Sequence, residues 1–151
     1  MANVFQPNAH DLSDSRSRAG VRSSLLLVPA ARFLFSLIFI VSGVNHFTSG
    51  SVSYGARAGI PLADILVPVS GLLIVIGGVS VLFGVHARVG AALILLFLAP
   101  TTILMHDFWN VADPVLAQQQ LIHFLKNLGL AGGALLIFFY GAGPVSLDQR
   151  K

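Results

Sequence analysis

The chain has 151 residues, of which 55% are hydrophobic and only 10% are charged. A soluble domain of that size has too little interior to hide so much apolar surface, so the surplus must face lipid. The net charge of +3 is spread over the ends of apolar runs rather than gathered on one face, which argues against a nucleic-acid partner. Cysteine is absent, which removes disulfides, thiolate-held iron–sulfur clusters and dithiol relays within this chain. Glutamate is absent too, so carboxylate chemistry falls to Asp11, Asp14, Asp64, Asp107, Asp113 and Asp148.

Residues 1–23 are polar, carry Arg16, Arg18 and Arg22, and read as a disordered cytoplasmic tail. The apolar run that follows, Ser24 to Phe47, is too long for a signal-peptide core, and no A-x-A-like site closes it. It is taken as an uncleaved first span. Arg32, the one charge inside it, is expected to mark the start of the buried part and to snorkel to anionic headgroups. Residues 48–64 read as a loop with Tyr54, Arg57 and a Gly59-Ile60-Pro61 turn. Further spans are predicted over residues 65–83, 88–105 and 121–140, with a tight turn at Gly84 and a longer loop from His106 to Gln120. Lys126 then falls in the second turn of the fourth span, and residues 148–151 form a cytoplasmic end.

Each run approaches the roughly 20 residues a bilayer requires. Their apolarity is continuous instead of alternating, which favours helices over a barrel. The expected fold is all-α: an integral membrane four-helix bundle over residues 24–147, with Gly71, Gly77, Gly78, Gly129, Gly132 and Gly133 marking close helix contacts. Basic residues are concentrated in the tail, at Arg88 and at Arg150-Lys151. The opposite side has only Arg57, plus Lys126 at a helix mouth, so both termini are expected in the cytoplasm.

That threading gathers polar groups at the outer face. The first span ends with Asn45 and His46, the second begins after Asp64, the third ends at His106, Asp107 and Trp109, and the fourth opens with His123, Lys126 and Asn127. The plain explanation is interfacial: polar residues are cheap there, Trp109 is an ordinary anchor and lysine snorkels. Two features point further. His123, Lys126 and Asn127 are spaced i, i+3, i+4 on one helix face, and Lys126 lies deeper than an anchor needs. If that face points inward, Lys126 pairs with Asp107 or Asp64. Such a site would bind and polarise a carbonyl or an anion through Lys126 and Asn127, lined by His46, Asp64 and Trp109. His106, Asp107 and His123 would exchange protons. A metal or haem on His46, His106 and His123 is the sharper alternative. No two of them show ligand spacing on one helix, so no metal is assigned.

These pieces resemble the DoxX family of small four-helix membrane proteins over residues 32–148. The matching elements are Arg32, Gly43 with His46-Phe47, Gly59-Ile60-Pro61, Gly77-Gly78 with Gly84 and Arg88, and His106-Asp107-Phe108-Trp109. Phe124-Leu125-Lys126-Asn127 leading to Gly132-Gly133, Gly143-Pro144 and Ser146-Leu147-Asp148 complete the series. Many relatives look to carry a glutamate a turn before the Gly-Gly pair, where this chain has Ile74. If that carboxylate moves protons in relatives, Asp64 or Asp107 would be the nearest substitutes here. The resemblance implies a multi-pass protein of the bacterial inner membrane, in a family named after a thiosulfate:quinone oxidoreductase.

The leading expectation is therefore a subunit of a membrane redox system, with a quinone-like or small anionic ligand at the outer leaflet and a redox partner subunit supplying electrons. The alternative is a non-catalytic anchor or assembly subunit whose 109–120 loop docks a periplasmic or membrane partner. A carrier, which would need a homo-oligomer for its path, ranks last.

Overall fold

The computed structural model describes the backbone of residues 9–150 and the side chains of residues 25–148. Within these it is all helical: α1 (Ala9–Asn45), α2 (Ser49–Arg57), α3 (Ala63–Phe83), α4 (Ala87–Met105) and α5 (Pro114–Tyr140), with 3₁₀ turns at Phe108–Asn110 and Leu147–Arg150. Four stretches are long and apolar enough to cross a membrane: Leu25–Asn45, Ala63–Phe83, Ala87–Asn110 and Pro114–Tyr140. At 1.5 Å per residue, α3 is about 32 Å long, which matches a hydrocarbon layer of about 30 Å.

Three stretches expected to be irregular are helical. The tail is helical from Ala9 onward, while residues 1–8 of that expectation lie outside the described residues. Helix growth from an already formed span is cheap, and no proline interrupts it before Pro29. The 48–64 loop contains α2, opened by Thr48, whose hydroxyl accepts from the Ser51 N–H. The third correction concerns α5. It starts at Pro114, not near residue 121, because the Asp113 carboxylate accepts from the Leu116 N–H at 2.9 Å and Pro114 occupies the first helical position.

Packing relies on small residues, as it must where lipid offers no hydrophobic gradient between helices. A Cβ on Gly71 of α3 would lie 2.6 Å from the Cβ of His46 and 2.7 Å from the Gly43 carbonyl oxygen, so α1 and α3 touch backbone to backbone. Gly77 meets Gly90 on α4 in the same way, and Gly78 meets Ser36 and Phe39. Gly133 of α5 closes on the Phe35 ring. Gly129 and Gly132, expected at contacts, have no atom within 4 Å of a built Cβ and lie on the outside of α5. The buried core runs through Phe39, Ile74, Val81, Ala91, Ile94, Leu98 and Ala134. Large apolar side chains such as Leu34, Leu96, Leu136 and Phe139 stay on the outer surface, where lipid covers them.

The two ends of this bundle are built differently. At the turn end, the α3–α4 turn and the segment after α5 meet. Arg32 is only 6% exposed and does not snorkel. Its Nη1 donates to the Ala142 carbonyl at 3.1 Å and its Nη2 to the Val145 carbonyl at 2.6 Å. The chain after Tyr140 folds back as a strap through Gly141, Gly143 and Val145, all at positive φ. Asp148 then caps α4, its carboxylate accepting from the N–H groups of His86 at 2.8 Å and Ala87 at 3.1 Å. The opposite end, formed by α2, the 3₁₀ turn at residues 108–110 and the start of α5, is called the loop end below.

Candidate functional site

The predicted site residues lie toward the loop end, though at different depths. α4 stops at Met105, and His106 takes a non-helical conformation that lets the chain turn over. The 3₁₀ turn behind it is held down by rings. Phe108 and Trp109 stand edge-on to each other at 5.1 Å, and both stand edge-on to Phe124 of α5, at 5.5 and 5.9 Å. This aromatic clamp fixes the end of α4 against α5.

The rings of His106 and His123 stack, their centroids 5.2 Å apart and their planes 25° from parallel. His106 Nδ1 is 2.8 Å from Gln120 Oε1. A carbonyl oxygen can only accept, so Nδ1 carries a proton, and in the neutral ring Nε2 is left with its lone pair. Lys126 Nζ lies 3.4 Å from His123 Nδ1, a long contact. An ammonium can only donate, so the assigned His123 tautomer carries its proton on Nε2. The stacked pair thus offers one N–H donor and one nitrogen acceptor, with a cation alongside.

Depth explains why Lys126 is tolerated. It stands fourteen residues before Tyr140, the last residue of α5, or about 21 Å of rise. In a hydrocarbon layer of about 30 Å it is then about 9 Å from the far edge, close enough for its chain to reach the headgroups. Both Lys126 and His123 are exposed on the outer side of α5.

The other predicted residues are placed less closely together. Asn127 is buried, turned into the bundle and away from the exposed Lys126. Asp107 is half-buried and accepts from Asn110 Nδ2 at 3.0 Å, and Asp64 is exposed in the first turn of α3. Among the described residues, the expected ion pair of Lys126 with Asp107 or Asp64 is not formed. Trp109 belongs to the clamp and is half exposed. His46 stands apart. Its Nδ1 is 2.7 Å from the Ser42 carbonyl and its ring packs edge-on against Phe97. Phe97 lies nine residues before His106 on the α4 side, which is about 13 Å along a helix. Among the described residues no three of the histidine and carboxylate groups converge as metal ligands do. Ile74 is fully buried in the core.

Sequence reading missed Gln120 and the two phenylalanines of the clamp. Asp113-Pro114 was the available signal. Read as a helix start, it puts Gln120 and His123 on one helix at i, i+3, facing the end of α4.

The sequence model of the DoxX family matches residues 27–107, which leaves α5 outside the match. Inner membrane protein YphA of Escherichia coli K12 is 30% identical over 131 residues, covering 85% of this chain and 91% of that protein. Inner membrane protein YqjF of the same organism is 33% identical over 124 residues, covering 81% and 89%. No solved structure matches the chain.

Proposed function

From the premise that this chain is an inner-membrane protein belonging to the DoxX family, we propose that it serves as a membrane subunit of a redox system and holds a quinone-like headgroup at its loop end, with that end in the outer leaflet. The observation that carries this reading is the stacked His106–His123 pair with the exposed Lys126 beside it, on the two segments that the aromatic clamp joins. One ring carbonyl oxygen would accept from Lys126 and the other from His123 Nε2–H. A ring hydroxyl would donate to His106 Nε2. Electrons would come from a partner subunit, and the histidines would handle the protons that accompany them. A small organic anion could use the same ammonium and N–H groups, and competition between the two would reveal it.

Trp109 is the sole tryptophan of the chain and packs on Phe124, the neighbour of His123 in sequence, so its fluorescence reports on the clamp at this end. Titrating a short-chain quinone into detergent-purified protein is expected to quench it saturably. His123→Ala and Lys126→Ala are each expected to weaken binding about tenfold, the effect of losing one charge-assisted or buried contact. Quenching that stays linear, or that ignores both substitutions, would remove the proposal. Orientation is tested separately on this cysteine-free chain: Ala112→Cys should react with a membrane-impermeant maleimide from the periplasm, and Val85→Cys should not.

A second reading has its own observation. Val115 and Leu116 are exposed on the first turn of α5, beside the half-exposed Trp109. As a docking face for a partner they would make the chain an assembly subunit. Lys126→Ala would then be silent while Leu116→Ser released the partner.

A further inference from the structure

Three side-chain atoms among the described residues are fully buried without a hydrogen-bond partner: Arg32 Nε, Ser36 Oγ and Ser146 Oγ. All belong to the turn end, and each residue is more than nine-tenths buried. Arg32 and Ser36 stand one turn apart on the same face of α1. Ser146 and Arg32 meet over Gly84, where a built Cβ would lie 2.5 Å from Ser146 Cβ and 2.6 Å from Arg32 Nη1. Polar groups buried in a membrane protein are normally satisfied, and a guanidinium normally faces a carboxylate or a phosphate. Here its partners are two neutral carbonyls, and among the described residues it forms no ion pair.

The carbonyl that takes Nη2 belongs to Val145, which is held at φ +54°. A β-branched side chain resists that left-handed conformation, so the grip on Arg32 is strained. Arg88 adds a second guanidinium nearby: its Nε lies 3.7 Å from where a Cβ on Gly141 would stand, at the start of the same strap.

We propose that the turn end binds a phosphate group, either a lipid phosphodiester or free phosphate, which takes the Nη2–Nε edge of Arg32 from the Val145 carbonyl. The phosphate neutralises Arg32, accepts from Ser146 Oγ and lies within reach of Arg88. Val145 meanwhile relaxes out of the left-handed region. The strap is then a gate whose closed form is strained and whose open form is held by the anion. Ser36, a turn deeper, is not served by it.

The test uses the full chain in a maltoside detergent, which carries no phosphate. In one arm inorganic phosphate is titrated in a phosphate-free buffer. In the other, phosphatidylglycerol is mixed into the micelles and native mass spectrometry counts retained lipid. Thermal stability is followed in both. Wild type is expected to gain stability in at least one arm. Response to lipid alone identifies a headgroup site, and response to phosphate in solution identifies a soluble anion. Val145→Gly removes the strain that favours opening and should bind about tenfold more weakly in the responding arm. Ser146→Ala should weaken binding by a similar factor. The melting curve of each variant without added phosphate or lipid checks that it is folded, so the outcome does not depend on Arg32→Gln being stable. No response in either arm, or equal responses from wild type, Val145→Gly and Ser146→Ala, overturns the proposal.

Discussion

The two ends of the bundle handle positive charge in opposite ways. At the turn end Arg32 is sealed inside, gripped by backbone carbonyls 110 and 113 residues away in sequence. At the loop end Lys126 lies exposed on a helix surface, its ammonium 3.4 Å from a histidine one turn back. The first charge holds the strap closed, because removing it unmakes contacts between α1 and the strap. The second is spare, because little in the fold leans on it. A ligand reaches the loop end directly, whereas at the turn end it must first displace a backbone carbonyl from Arg32.

Substitutions at the two ends should therefore differ in kind. The largest stability loss is expected for Arg32→Leu, which forfeits two charge-assisted hydrogen bonds and leaves the Ala142 and Val145 carbonyls bare. About 3 to 5 kcal/mol is expected, read from unfolding in mixed micelles. A change within error would erase the contrast. Next comes Gly71→Ala, whose methyl would sit 2.6 Å from His46 Cβ and 2.7 Å from the Gly43 backbone oxygen. Forcing α1 off α3 should cost about 2 to 3 kcal/mol, seen as a lowered melting temperature. Asp148→Ala removes the carboxylate cap of α4 and should cost about 1 kcal/mol, with faster hydrogen exchange at His86 and Ala87. Lys126→Ala should change stability by less than about 0.5 kcal/mol. Its effect belongs to ligand binding.

Much of this was legible in the sequence, for physical reasons. Long apolar runs can only be spans, so four crossings and the gathering of His106 and His123 at one end followed from counting. Helices α2 and the first two turns of α5 were hidden, because Thr48 and Asp113-Pro114 serve equally as loop residues and as helix starts. Missing that start concealed Gln120, the residue that sets the His106 tautomer. Inward or outward facing was also beyond reach. Asn127 is buried and Lys126 exposed, although their spacing put both on a shared polar arc. Arg32 was misread because its partners are carbonyls of a strap at positive φ, and no side-chain pattern records them.

The central distinction is most directly tested by photo-crosslinking a quinone analogue to the purified protein and mapping the labelled peptides. Labelling is expected on the segment holding His106 and on α5 around His123, lost in Lys126→Ala and kept in Asp148→Ala. Labels that fall instead beside Arg32 and the strap, or that persist unchanged in Lys126→Ala, would show that the open, histidine-bearing end is not where such a ligand sits.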